Sequence, residues 1–195
     1  MATLYREDLK FHKAPKVERE PRLHDILCTK AEEWLKRQGC KVTFHDKFKA
    51  VTGTGEQPDA IGWRSGASIL IECKASRSDF LSDKNKRFRK DPVMGMGDWR
   101  FYFCPPGVIT PEDLPEGWGL LYCYEKKVKK VHGLPKGNSN WFDKKPFDGN
   151  KQAENSMLVS ALRRLQLRGN LDLVYQPQED YEHKRSAKHR GWDKV

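Results

Sequence analysis

The sequence predicts one domain of the α/β or α+β class, with a mixed central β-sheet flanked by helices. Three observations predict it: an amphipathic helical pattern from Pro21 to Gln38, two apolar stretches that meet at a polar turn near Gly66, and two later strand patterns rich in aromatic residues. Helices and strands that alternate along a chain indicate a sheet with helices packed against it. The 195 residues are enough for one such domain with its own core.

The first two elements are a helix and a strand. In the helix, apolar residues recur at intervals of three and four, Pro21 suits the first turn, and Gly39 suits the C-terminal cap. The following stretch, "KVTFHDKF", alternates Val42 and Phe44 with polar residues, which is typical of a half-buried strand. We expect this strand to lead into the hairpin.

The hairpin is predicted from "EQPDAIGWRSGASILIECKAS", residues 56–76. A turn over the Ser-Gly pair aligns the two apolar stretches so that Asp59 faces Glu72. Because side chains alternate along a strand, Lys74 emerges on the same face as Glu72. Directly opposed side chains have Cβ atoms about 5 Å apart. The hairpin is therefore expected to bring two carboxylates and an ammonium together.

This arrangement suits a divalent metal ion. Two opposed carboxylates repel each other, and Mg²⁺ removes the conflict because it prefers oxygen ligands and is commonly held by one or two carboxylates together with substrate phosphate. We predict Mg²⁺ or Mn²⁺ bound by Asp59, Glu72 and the backbone carbonyl of Cys73, whose side chain points into the core. An ammonium at Lys74 can orient water and neutralise charge on a phosphate.

A basic segment follows the hairpin. The stretch "SRSDFLSDKNKRFRKDP" mixes apolar residues with many cations and predicts a basic helix that stops before Pro92. "WRFYFCPP" and "WGLLYCYE" predict two strands, and "KKVKKVH" predicts a third, exposed strand. The alternating aromatic residues Trp99, Phe101 and Phe103 are assigned to the core.

The remaining segments complete the predicted organisation. We expect a flexible N-terminal arm over residues 1–20, a single domain over 21–175 and a basic C-terminal tail over 176–195. Within the domain, the stretch around 133–151 lacks periodicity and is predicted to be a mobile basic loop. Apolar residues then recur at helical spacing from Ser156 to Arg168, which predicts a last helix.

Charge and cysteine usage indicate the partner and the compartment. Lys and Arg number 37 against 27 Asp and Glu, a formal net charge of +10 that favours a nucleic-acid partner. The five cysteines form no C-x-x-C pair, which argues for reduced thiols in the cytoplasm and against a structural zinc site. His24 and His45 lack metal-ligand spacing and are assigned structural roles. No apolar run is long enough for a membrane span, and we expect no signal peptide.

The hairpin motif resembles a known family. "PDAIGW" and "SILIECK" are similar to the PD-(D/E)xK nuclease superfamily, with Asp59, Glu72 and Lys74 in the expected order. The continuation "ECKASRSDFLSD" also resembles small bacterial and phage proteins, including MmcB-like DNA-repair proteins. The resemblance covers residues 21–105. It implies a restriction-endonuclease-like core with a mixed four-stranded sheet and metal-dependent DNA cleavage, with Asp59 and Glu72 as metal ligands and Lys74 as the catalytic lysine.

Many members of this superfamily carry a third carboxylate. Glu32, Glu33 and Glu56 are available here, and Glu56 is preferred as a further metal ligand because it adjoins Asp59, although side-chain alternation alone sends it to the opposite face. Asp79 and Asp83 are expected to cap or orient the basic segment. The predicted DNA contacts are Gln57, Arg77, Lys84, Lys86, Arg87, Arg89 and Lys90. The alternative for these cations is a solvated helix face.

The sequence therefore predicts a Mg²⁺- or Mn²⁺-dependent deoxyribonuclease that acts in bacterial or phage DNA processing or repair. Of the two modes of cleavage, we favour endonuclease over exonuclease. A second reading is a non-catalytic DNA-binding or anti-defence module that keeps the nuclease fold. The sequence is also compatible with an enzyme that acts on RNA, and with a homodimer that cuts both DNA strands.

Overall fold

The computed structural model describes residues 20–176. The predicted arm and tail, apart from Glu20 and Gln176, lie outside the described residues. The helices are α1 (Leu23–Arg37), α2 (Arg77–Asp83), α3 (Arg87–Lys90), α4 (Asn140–Asp143) and α5 (Lys151–Leu167). The strands are β1 (Val42–His45), β2 (Ala60–Arg64), β3 (Ala67–Cys73), β4 (Trp99–Cys104), β5 (Trp118–Cys123) and β6 (Val128–His132).

These strands form one six-stranded sheet in the order β1-β2-β3-β4-β5-β6. The central pairs β3-β4 and β4-β5 are parallel, and the outer pairs are antiparallel. Helices cover both faces, so the predicted class, a mixed sheet flanked by helices, is confirmed. Among residues 20–176, no helix has both the length and the apolar character needed to cross a bilayer.

The hairpin has the register that side-chain alternation predicts. Ile61 pairs with Leu70, and the ladder ends where Ala60 pairs with Ile71. Gly66 sits in the turn with a φ of 78°, a left-handed conformation that glycine adopts without strain. Asp59 and Glu72 are thus one step beyond the last pair, at the end of the two strands.

Two apolar layers enclose the sheet. On one face, α1 buries Leu27 and Leu35 against strand residues that include Ile69 and Phe101. On the other face, Phe80 of α2 and Met157 of α5 pack over a second cluster. The aromatic residues assigned to the core from the sequence, Trp99, Phe101 and Phe103, are all buried.

The basic segment folds differently from the single helix predicted. It forms the short helices α2 and α3, separated by Lys84–Lys86. Ser76 caps α2 by accepting a hydrogen bond from the backbone N–H of Asp79 at 3.3 Å. The chain leaves the helix after Asp83 because that side chain is fully buried and paired with cations from beyond the helix end.

The stretch around 133–151 contains structure that its lack of periodicity did not indicate. It carries α4, whose Trp141 is buried and lies 5.1 Å from Trp99 between ring centroids. The last helix also begins at Lys151 rather than at Ser156, capped by the Asn150 side chain, which accepts from the Ala153 N–H at 2.9 Å. Its first turn is polar, so apolar spacing alone places the start too late.

Strand β6 forms one edge of the sheet. Its pairing with β5 shifts between Leu120 and Leu121, where the ladder is irregular. Lys129 and Lys130 are exposed on this edge strand. The other edge is the four-residue strand β1.

Candidate active site

The hairpin end brings Asp59 into contact with the backbone of β3. Oδ2 of Asp59 accepts a hydrogen bond from the N–H of Cys73 at 2.8 Å, which continues the strand pairing beyond the backbone ladder. The N–H and C=O of one strand residue point to the same side, so the Cys73 carbonyl also faces Asp59. The Cys73 side chain is fully buried in the core, as predicted.

Glu72 and Lys74 lie side by side and are almost completely buried, each with 2% of its residue surface exposed. The Lys74 ammonium is 3.2 Å from Oε2 of Glu72 and 3.1 Å from Oδ1 of Asp83. Burial acts to lower the pKa of Lys74, but the two carboxylates outweigh it and the pKa is raised. Lys74 is therefore a charged group in a site closed to bulk water.

Arg89 occupies the centre of the same buried network. Its Nη1 is 2.6 Å from Oε1 of Glu56, its Nε is 2.8 Å from Oδ2 of Asp83, and its Nη2 is 2.8 Å from Oε1 of Glu72. The side chain is 4% exposed. The predicted assignment of Arg89 to an exposed phosphate track is wrong, because its planar guanidinium joins three carboxylates inside the protein.

Asp83 and Tyr102 complete the network and were missed as functional residues. The Tyr102 hydroxyl donates to Oδ2 of Asp83 at 3.0 Å, and the Lys86 ammonium is 2.6 Å from Oδ1. A signal for Asp83 existed, since it lies three residues after the core residue Phe80 on the same helix face. Tyr102 alternates with its strand neighbours and so faces the side opposite Phe101.

We call these residues the Glu72 network: Glu56, Glu72, Lys74, Asp83, Lys86, Arg89 and Tyr102. Three carboxylates balance three cations, which explains how so many charges are tolerated in a buried place. Burial raises the pKa of the Glu72 and Glu56 carboxyls, whereas Arg89 opposes the shift in both. For Asp83 the burial effect is outweighed by Arg89 and Lys74, and its pKa is lowered.

The geometry leaves one oxygen of Glu72 less firmly held than the other. Oε2 accepts a hydrogen bond from Lys74 at 3.2 Å. Oε1 faces Nη2 of Arg89, a buried nitrogen that has no hydrogen-bond partner among the described residues despite its 2.8 Å approach. This contact is an ion pair whose N–H groups are not aligned for a hydrogen bond. Oε1 is thus the oxygen of Glu72 that accepts no hydrogen bond from the described residues.

Of the three residues considered for a third carboxylate, one lies in the site and two lie outside it. Glu56 is fully buried and joins the site through Arg89, while its Oε2 accepts from the Met96 N–H at 2.6 Å. Glu32 instead accepts a hydrogen bond from Thr43 at 2.8 Å, and Glu33 pairs with an arginine of its own helix. Glu56 alone of these three belongs to the network.

The remaining predicted DNA contacts fall into two groups. Gln57 was predicted to contact DNA, but its side-chain amide accepts from the N–H of Ala50 and donates to the C=O of Ala50, so the structure corrects that expectation. The guanidinium of Arg77 is engaged by the carboxylate of Asp113. Lys84, Arg87 and Lys90 are exposed, whereas Lys86 is exposed along its side chain but pairs its ammonium with Asp83.

One histidine approaches the site from α1. Nε2 of His24 is 3.4 Å from Oδ1 of Asp59. The hydrogen bond with this carboxylate raises the pKa of His24 to about 9, against a smaller opposing effect of burial. The sequence did not indicate this contact, because it depends on how α1 packs across the end of the hairpin.

Comparison with known proteins supports the fold only. A solved structure of a protein of unknown function from Silicibacter pomeroyi is similar to this chain, with a TM-score of 0.50 and 24% sequence identity over 73% of this chain and 88% of that one. A scan with protein-family models gives no match, and a search of curated proteins gives no significant match. The resemblance to PD-(D/E)xK nucleases accordingly stays a prediction.

Proposed function

We propose that this protein is a metal-dependent deoxyribonuclease. The observation that carries the proposal is that Asp59 accepts a hydrogen bond from the N–H of Cys73, the residue after Glu72, while the Lys74 ammonium lies 3.2 Å from Glu72. Hydrolysis of a phosphodiester needs an activated water and stabilisation of the charge that develops on phosphorus. Two carboxylates and a charged lysine are side chains suited to these tasks.

In the proposed reaction, different residues of the site have different roles. Asp59, Oε1 of Glu72 and the Cys73 carbonyl would hold Mg²⁺ or Mn²⁺, which supplies a water of lowered pKa when bound. Lys74 keeps its proton, so it acts as a positive group that orients the water or neutralises phosphate charge. Arg89 opposes the rise that burial causes in the pKa of Glu72, and Asp83 contacts both Lys74 and Arg89.

A second candidate is a DNA-binding module without catalytic activity. It is favoured by the pairing of Glu72 with both Arg89 and Lys74, which removes carboxylate repulsion without any metal. A charged pair that is already neutralised has no need of an ion to be stable. The two candidates differ in one result, the breaking of a DNA strand.

Circular DNA distinguishes them. With circular single-stranded and double-stranded DNA, we expect nicking in Mg²⁺ or Mn²⁺ and none in EDTA, which would also establish endonucleolytic action. Glu72→Gln should cut roughly 10²-fold more slowly or worse, since it loses a charged ligand. Glu116→Gln, an exposed carboxylate far along the chain, is the matched control and should cut normally. DNA binding without nicking in any metal would reject the nuclease and support the module.

The exposed cations of the basic segment are the proposed phosphate contacts. Each true contact with duplex DNA contributes about −0.9 to the slope of log affinity against log salt. Replacing Lys84, Arg87 and Lys90 with alanine should flatten the slope by about one unit per contact, equally for unrelated sequences. The measurement is binding of duplex DNA in Ca²⁺ across a salt series.

The control for this series carries the same number of lost charges elsewhere. Alanine at Lys126, Lys129 and Lys130, three exposed lysines at and before β6, should leave the slope nearly unchanged. If instead only the control variant reduced the slope of log affinity against log salt, the phosphate contacts would lie on the β6 side.

The five cysteines form no disulfide bond, which is consistent with a bacterial or phage-infected cytoplasm as the place where the protein processes or repairs DNA.

A further inference from the structure

Three potential metal ligands, His24, Cys28 and Asp46, lie together beside the hairpin end, and Asp59 contacts one of them. His24 and Cys28 are one helical turn apart on α1, which puts their side chains on the same face. Nε2 of His24 is 3.4 Å from Sγ of Cys28 and 3.4 Å from Oδ1 of Asp59. A carboxylate oxygen of Asp46, in the turn after β1, lies within 4.8 Å of both the His24 nitrogen and the Cys28 sulfur.

We propose that His24, Cys28 and Asp46 form a binding site for a transition-metal ion of the Zn²⁺ class, with the fourth position taken by Asp59 or by water. Tetrahedral zinc has bonds of about 2.0–2.3 Å to nitrogen, oxygen and sulfur, which sets neighbouring ligand atoms about 3.3–3.7 Å apart. The two 3.4 Å separations at His24 match that edge length. Oδ1 of Asp46 is also 3.0 Å from Nδ1 of His45, and the carboxylate would exchange this contact for the ion on binding.

The ligand types select a different ion from the one at Glu72. Imidazole and thiolate suit Zn²⁺ and Co²⁺, whereas Mg²⁺ prefers oxygen ligands and keeps several waters. Cys28 is fully buried at the base of the cluster, while the side chains of His24 and Asp59 are 32% and 17% exposed. The cluster is thus closed on the core side and open to entry from solvent. Binding transfers two protons to solvent, one from the Cys28 thiol and one from the His24 imidazolium, and leaves a thiolate and a neutral imidazole as ligands.

The proposal does not depend on DNA cleavage. Asp59 is the group shared with the hairpin site: Oδ1 faces His24, and Oδ2 accepts from the Cys73 N–H. The His24, Cys28 and Asp46 ligands take no part in the Glu72 network. Metal binding here can therefore be measured by a signal that Glu72 does not influence.

Titration of the metal-free protein with Co²⁺ tests the site. We expect one equivalent to produce thiolate-to-cobalt charge-transfer absorption in the near ultraviolet, together with the visible bands of four-coordinate Co²⁺, and Zn²⁺ to displace both. Cys28→Ser should abolish the charge-transfer band. His24→Asn and Asp46→Asn should each weaken binding at least about tenfold.

Two control variants make the result specific. Cys40→Ser changes another buried cysteine outside the cluster and should keep the full spectrum. Glu72→Gln should also keep it, although that variant is expected to lose nuclease activity. A protein that gives this spectrum but never cuts DNA would reject the proposed function and leave the metal site standing.

The proposal is overturned if folded wild-type protein gives no thiolate band, or if the band survives in folded Cys28→Ser. Circular dichroism and thermal unfolding establish that each variant is folded. Should Cys28→Ser fail to fold, His24→Asn carries the test, since this side chain is partly exposed. Unchanged cobalt affinity in His24→Asn would then mean that His24 and Cys28 only hydrogen-bond each other.

Discussion

Lys74→Ala is expected to cut DNA roughly 10²-fold more slowly than wild type, or worse, while binding DNA nearly as well. The ammonium is the charged group beside Glu72 and is too buried to serve as an ordinary surface cation. Single-turnover cleavage and binding of duplex DNA in Ca²⁺ separate the two quantities. Such a loss of rate with retained affinity is the signature of a group that acts in the transition state.

The variant should remain folded, because Arg89 and Lys86 still contact the carboxylates that Lys74 leaves behind. Lys41→Ala, an exposed lysine just after α1, is the matched control and should match wild type in both assays. Undiminished cleavage by Lys74→Ala would remove it from the catalytic assignment. A parallel loss of binding and cleavage would make it a phosphate contact instead.

Arg89→Ala should have the largest effect on stability, a loss of about 3–5 kcal/mol. The reason is that Glu56, Glu72 and Asp83 all contact this guanidinium and are themselves buried. Removing it leaves uncompensated carboxylates inside the protein. Urea unfolding at neutral pH measures the change, and the slope of the transition shows whether unfolding stays two-state.

Two further variants serve as controls for the loss of stability in Arg89→Ala. Arg87→Ala removes an exposed arginine two residues away and should change the free energy of unfolding by no more than about 0.5 kcal/mol. Arg89→Lys keeps the charge but lacks the planar fork, so it should fall between wild type and Arg89→Ala. If Arg89→Ala were as stable as wild type, the three carboxylates would have to be held by other groups.

The fold and the hairpin pairing could be predicted because both depend on local periodicity. Side chains in a strand alternate with a period of two, so a turn position near Gly66 fixes the partner of every strand residue. Ile61 pairs with Leu70 for this reason. The position of Asp59 beside β3 followed from the same counting.

The rest of the site depends on tertiary packing. In the sequence, Arg89 is one of several cations in a basic segment and nothing distinguishes it from the others. In the structure the segment is broken between α2 and α3, and Arg89 contacts Glu56 and Glu72. His24 and Cys28 are four residues apart, but two ligands alone did not indicate a metal site, and His24 was assigned a structural role. Asp46 and Asp59 join them through the packing of α1 on the sheet, which no spacing along the chain reports.

The lysine-bearing edge strand β6 has a consequence for self-association. Two copies of a sheet protein can join by aligning their free edges into one continuous sheet, with backbone amides and carbonyls shared across the seam. Lys129 and Lys130 would meet the same residues of the other copy there, and like charges together with an irregular ladder oppose such a seam. Among the described residues, the helices and β1 are therefore better placed than β6 to join two copies into a dimer that cuts both DNA strands. Its two cutting centres would then be related by that contact, and their separation would set the stagger of the cleaved ends.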